Sequence, residues 1–278
     1  MNAVEYAEKA GEIFVLSDSF IRIKELIDDE ASTIDDIAEV ILLDPALSGT
    51  LLKLANSSFF NYPGKIDTVS KAVLVLGITE VYNLVIAYFT TEAFKPINAE
   101  EAFLESFWQR SVDCALLIKF LGTTMNIANA ERLFILGLLH NLGELVVQQF
   151  DPDKVLACQS DDPAVLPWQK QQEVLGFTYG ECTAELLKLW QLPYSLIKPI
   201  REQDNNEFDQ SSSEIQLLYL SKRVMIRNSF YPDQPYSIVF TEDMIELDDH
   251  ILDAAVEYCD LERLGILSVL KPSSVMIY

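Results

Sequence analysis

The sequence predicts an all-α protein, and three observations carry that reading. Apolar residues recur at helical spacing along most of the chain, recognisable helix starts and stops punctuate it, and the strict alternation of a half-buried strand is scarce. With 278 residues, half of them hydrophobic, the chain is long enough to bury a sizeable core. A short hairpin near Ser237 to Thr241 is the best candidate for any strand.

From the amino terminus, "MNAVEYAEKAGEIF" is acidic and helical in character, without the basic end and apolar run of a secretion signal. In "STIDDIAEVILLDPALSGTLLKLANSSFF", Thr33 with Asp36 three residues on reads as a capping box. Asp44 before Pro45 reads as a cap with proline at the first helical position, so two helices follow in succession. The second should bury Leu47, Leu51, Leu52 and Leu54 or Ala55 and end near Asn56, Ser57 and Ser58, residues that favour turns. "NYPGK", Asn61 to Lys65, is then a turn.

The most apolar window, Ala72 to Phe89, approaches membrane-spanning length but carries Glu80 and Asn83 and is broken at Gly77. Two buried helices are expected there, with Thr79 capping the second. "FKPINAEE", Phe94 to Glu101, reads as a connection between an amino-terminal bundle over 1–95 and a larger helical region over 96–278. "REQDNNEFDQSSSE" is a polar loop inside the latter. "FILGLLHNLGELVV" reads as a helix that is apolar nearly all round, with Gly137 and Gly143 permitting close helix approach.

Composition narrows the function. Acidic residues outnumber basic ones 43 to 20, and the net charge of -23 repels phosphate backbones and anionic headgroups, so neither nucleic acid nor membrane insertion is expected. Cys114, Cys158, Cys182 and Cys259 are scattered with no CxxC pair and read as reduced thiols, which fits a cytoplasmic protein. There is no GxSxG elbow, no phosphate loop and no HExxH helix, and two distant histidines leave little room for a Ser or Cys triad.

The stretch "ILLDPALSGTLLKLANSSFFNYPGKIDTVSKAVLVLGITEVYNLVIA", Ile41 to Ala87, resembles the amino-terminal bundle of the HDOD family, with its DPAL, LANS and LG elements in order. Downstream, "FWQRSVDCALL", "FILGLLHNLGELVV" and "ELLKLWQLPYSLIKPI" are similar to the family's next hallmark segments, so the resemblance runs from about Leu16 to the mid-220s. It implies a bacterial signalling protein: an amino-terminal bundle packed on a domain related to HD-type metal-dependent phosphohydrolases. Such enzymes hold a divalent metal with histidines and carboxylates, leaving positions for an activated water and a phosphate oxygen.

Residue by residue, the resemblance implies a pocket that has lost its ligands. His140 stands where the family's histidine does, but Asn141 replaces the adjoining aspartate and offers a neutral oxygen only. Arg110 takes the place of an earlier histidine, Tyr179 of a later one, and Gln203 and Asp204 those of two more; Lys222 replaces the closing aspartate. A cation in a metal site repels the metal, so neither a metal nor another cofactor is expected. The histidine reads as a core residue bonded to backbone or a neighbour, with Glu144 four residues on available to pair with it.

Arg110 and Lys222 should pair with Glu144, Glu173 or Asp204; the sharper alternative is that they bind an anion such as a nucleotide phosphate. His250 reads as an exposed helix residue. Lys222, Arg223 and Arg227 read as a solvated basic face, and Trp108 and Trp190 as core aromatics.

The expected function is therefore a non-catalytic signalling adaptor of the HDOD type, acting through protein or small-ligand binding. Relatives often carry receiver or cyclic-dinucleotide enzyme domains, for which no length is left, so a signalling partner is expected in trans. The alternatives are a phosphohydrolase with a reduced ligand set (His140, Asn141, Asp204) and a nucleotide-binding pseudoenzyme.

Overall fold

A computed structural model describes the chain apart from residues 30, 61, 128–130, 160–164, 206–207, 209–210, 241–243, 246 and 271–278. Among the described residues the regular structure is entirely helical. In order it runs α1 (Ala3–Ile13), α2 (Asp18–Asp28), α3 (Ile34–Leu42), α4 (Pro45–Ala55), α5 (Val69–Leu76), α6 (Ile78–Ala93), α7 (Glu101–Thr124) and α8 (Glu131–Leu139). It continues with α9 (Leu142–Phe150), α10 (Pro152–Ala157), α11 (Pro167–Leu175), α12 (Tyr179–Leu189), α13 (Tyr194–Glu202), α14 (Ser213–Phe230) and α15 (Asp249–Leu270).

The chain divides into two compact units: Met1–Phe14 with Ile97–Leu261, and Val15–Pro96 with the chain from Glu262 onward. The inner boundary lies at 96/97, against 95/96 read from the sequence, while the first helix falls in the larger unit and the chain from Glu262 in the smaller.

In the smaller unit the caps read from the sequence are in place. Thr33 and Asp36 exchange backbone-to-side-chain bonds at the start of α3, and Asp44 Oδ1 accepts from Ala46 and Leu47 N–H at 3.0 Å ahead of Pro45. α4 buries Leu47, Leu51, Leu54 and Ala55 but leaves Leu52 half-buried, because the apolar stripe is narrower than expected. Asn56 holds both its own helix end and the returning chain at Ile66, donating to the Leu52 and Ile66 carbonyls and accepting from Ile66 N–H. Of the "NYPGK" turn, Asn61 lies outside the described residues; 62–65 run without helix.

The helices α5 and α6 meet at 119°. Gly77, at φ +87, makes that corner, a conformation that L side chains resist. Gly77 is also the N-cap of α6 and makes no side-chain cap bond, so Thr79 is not the cap expected of it: it sits two positions past the cap, inside the helix.

In the larger unit α8 lies along α7, and α12 packs against α1, α9 and α13. Gly137 makes the first contact possible, since a Cβ there would stand 2.4 Å from Ala115 Cα. α1 buries Tyr6, Ala7 and Ala10, and the Trp190 indole donates to the Phe14 carbonyl at 2.9 Å. Tyr6 donates its hydroxyl to Asp151 and accepts from Lys154.

No hairpin forms over 237–240. Tyr236–Val239 is a 3₁₀ turn after Pro235, held by α14: Arg223 donates to the Ile238 carbonyl and Arg227 to that of Gln234, with the Arg227 guanidinium 4.2 Å from the Tyr236 ring centre. Thr241 lies outside the described residues. Arg223 and Arg227 are therefore anchors for this turn rather than a merely solvated face.

Candidate functional site

His140 and Asn141 form a turn between α8 and α9, both within the larger unit. The helix expected to continue through them breaks, although its apolar pattern does not. Asn141 leaves helical geometry at φ -122, ψ 19, and the next helix is docked at its first turn. Gly143 N–H donates to Thr183 Oγ1 at 2.8 Å, and a Cβ on Gly143 would lie 2.3 Å from the Tyr179 carbonyl oxygen.

His140 is 6% exposed and its Nδ1 lies 2.6 Å from the Gly137 carbonyl oxygen, which requires that nitrogen to carry the proton. Burial, then the charge of Lys222, and to a lesser degree that of Arg110, push the imidazole pKa down to about 3, against the smaller opposing effect of the Gly137 bond. The ring is neutral at physiological pH. The His140 carbonyl accepts from Gln203 Nε2 at 2.7 Å, and the same nitrogen reaches Ile200 O at 3.0 Å. Gln203 is 1% exposed, and its amide oxygen has no partner among the described residues. Gly180 gives the amide its room, since a Cβ there would stand 2.5 Å from Gln203 Nε2.

Two cation and carboxylate pairs flank the histidine. Arg110, on α7, donates through Nη2 to both Glu144 oxygens at 2.8 and 3.0 Å and through Nη1 to Ser106 Oγ at 2.7 Å. Asn141 Nδ2 adds a 2.6 Å bond to Glu144, so this carboxylate is enclosed by one arginine nitrogen and an amide. Lys222, on α14, pairs with Asp204 and stands 4.3 Å from the Trp168 ring centre, an ion pair backed by an aromatic face. Tyr179 opens α12 with 4% of its surface exposed. Its hydroxyl lies against the Cys158 thiol without a well-aligned hydrogen bond, and burial, reinforced by Glu144, pushes its pKa up.

Most residues read from the sequence do converge. Arg110 and Lys222 both act on His140, Gln203 bonds to its backbone, and Asn141 and Tyr179 share Glu144 as neighbour. The two cations take two of the three carboxylates expected for them, Glu144 and Asp204, while the third, Glu173, pairs with Lys170 at 3.0 Å on the surface. Glu144 turns to Arg110 and Asn141 rather than to His140, because the break at 140–141 removes the helical register that would have aligned them.

His250 is exposed, and Trp108 and Trp190 are buried. Two participants were missed: Ser106, legible as a residue one helical turn before Arg110, and Trp168, for which nothing in the local sequence signals a contact with Lys222.

The chemistry of this donor set does not fit a divalent ion. Both nearby carboxylates are held by cations, the Nδ1 of His140 is committed to backbone, and the remaining donors are neutral amides. Among the described residues no three His, Cys, Asp or Glu side chains are grouped to hold a metal.

The site is thus a turn between two helices that buries His140 and leaves Asn141 half-buried, with fixed charges beside it in an all-helical fold. The HDOD domain model matches residues 13–206, and the chain belongs to the HDOD domain family. That match takes in every pocket residue except Lys222.

Among solved structures, the chain is 23% identical to a "putative phosphohydrolase" from Shewanella amazonensis, with a TM-score of 0.73 over 96% of this chain and 97% of that one. It is 18% identical to an HDOD domain protein with unknown function from Geobacter sulfurreducens, with a TM-score of 0.69 over 96% and 97% of the two chains. At such identities these likenesses show the fold. An uncharacterized protein of Treponema pallidum is 28% identical over 206 residues, which is 73% of this chain and 40% of the relative's own length.

Proposed function

We propose that this protein is a non-catalytic regulator of the HDOD type, which acts by binding a partner rather than by hydrolysing a phosphate ester. The observation that carries this reading is the pair of internal ion bridges, Arg110 with Glu144 and Lys222 with Asp204, in the pocket around His140. Each puts a fixed positive charge where a hydrolase needs an ion that is free to polarise substrate and water. His140, neutral near pH 7 with its one N–H committed to the Gly137 carbonyl, has no spare proton to give a leaving group.

The nucleotide-binding alternative is less well supported, because a phosphate would have to displace two carboxylates from their cations. The four buried cysteines form no disulfide with one another, which suits a reducing compartment, and we assign the protein to the cytoplasm with its signalling partner supplied in trans. The apolar stretch Arg132–Phe150, long enough to cross a membrane, is 78% buried in this fold.

Elemental analysis after incubation with manganese, zinc, iron and magnesium and then desalting is the test, paired with assays on phosphate esters and nucleotides. Less than about a tenth of an equivalent of each metal, with no hydrolysis, is the expected result. Near one equivalent, lost in His140→Ala, overturns the reading.

A further inference from the structure

We propose that the outward face of α3 is a docking surface for a basic amphipathic helix of a partner protein. The inward face of α3 is ordinary core: Ile37, Ala38 and Ile41 are buried. Its outward face runs Asp35, Glu39, Leu42 and Leu43, positions that share one side of a helix and its end, and all four are exposed. Leu43 is 80% exposed and Leu42 56%; on α5, which packs against α3, Leu74 is 72% exposed. Single exposed leucines are unremarkable in a soluble domain, whereas Leu42 and Leu43 stand side by side at a helix end, and the helix packed against it exposes a third leucine.

The charges beside these leucines say what would cover them. Asp35 and Glu39 pair with no cation among the described residues. The basic residues of the flanking helices are engaged elsewhere: Arg22 with Glu25 at 3.3 Å, Lys24 with Asp28 at 2.5 Å and Lys71 with Asp67 at 3.5 Å. Lys53 lies in the last turn of α4, about 12 Å along that helix from the α3–α4 corner. Asp36 is occupied in the cap with Thr33.

The surface therefore presents leucines bordered by uncompensated carboxylates, the complement of a helix with an apolar stripe flanked by Lys and Arg. A second copy of the chain fits poorly, since a symmetric pairing of this face sets acidic stripe against acidic stripe. The overall charge of -23 steers the same kind of basic partner toward the molecule.

This inference rests on the reading of the protein as a binding module, but its test concerns α3 alone. A metal-loaded pocket beside an intact α3 response would overturn the pocket reading and leave this one standing. The probe is a blocked peptide of about 18 residues, five helical turns of Leu and Lys with Leu on one face, titrated into the full chain with methyl-labelled leucines. A matched peptide with Glu for Lys is the control.

The expected result is saturable shifts at Leu42, Leu43 and Leu74, no response to the Glu peptide, and about tenfold weaker binding in Leu43→Ser with Leu74→Ser. Asp35→Asn with Glu39→Gln should weaken binding at low salt and flatten its salt dependence. No binding, shifts centred elsewhere, unchanged affinity in both variants, or equal binding of the Glu peptide overturns the proposal. So do shifts that grow with protein concentration alone, which would assign the face to a second copy.

Discussion

Lys222 and Asp204 are close to nine-tenths buried, at 12% and 11% exposure, so each depends on the other to offset its lost hydration. Lys222→Met should cost about 2–4 kcal/mol in urea unfolding, because it strands a buried carboxylate, and adding Asp204→Leu should recover more than half of that loss. Arg110 is 45% exposed, and Arg110→Met should cost less, about 1 kcal/mol, since water can replace part of the guanidinium's bonding to Glu144.

His140 makes a separate prediction through pH. Its folded pKa of about 3 lies below that of an unfolded histidine near 6.5, so the unfolded chain binds the proton first and stability is fully present only above that value. As pH falls from 6.5 to 5, before most carboxylates titrate, this group alone should remove about 1.5 kcal/mol. His140→Gln should lose that share of the slope when its unfolding is compared with the wild type's across the same range.

At the scale of helices, two glycines make opposite predictions. Gly143→Ala places a methyl group 2.3 Å from the Tyr179 carbonyl and 2.9 Å from Cys182 Cβ, forcing α9 from α12, and should cost about 3 kcal/mol. Gly265→Ala, in α15 with open space around it, should stabilise by up to about 1 kcal/mol; thermal melts of the two variants should move in opposite directions.

The caps at Thr33, Asp44 and Gly77's corner were legible because a start or stop signal is written in three or four consecutive residues. The break at His140 and Asn141 was not, because leucines and valines keep helical spacing across it. What sets the new direction after the break is the docking of α9 on α12, a contact between residues 40 apart. The pocket's membership followed from the resemblance, while its wiring did not: which carboxylate each cation takes is decided by where α7, α9, α13 and α14 lie.

For the whole molecule, charge sets the outlook. A net charge of -23 on 278 residues makes self-repulsion a general load on the compact state. Raising sodium chloride from about 20 to about 300 mM should raise the melting temperature, since exposed like charges are screened beyond a Debye length. Buried pairs such as Lys222 with Asp204 should hardly respond, so the gain should survive in Lys222→Met.

The membership of α1 in the larger unit bears on the order of synthesis. Tyr6 is made early, yet its hydrogen-bond partner Asp151 lies 145 positions on, and the Phe14 carbonyl waits 176 residues for the Trp190 indole. At about 5–20 residues per second, the first helix spends roughly 9–35 s outside the ribosome with its apolar side uncovered, while the intervening 15–96 segment is free to fold first. This helix thus waits for α12 before it finds its seat, with α13, α14 and α15 still to follow.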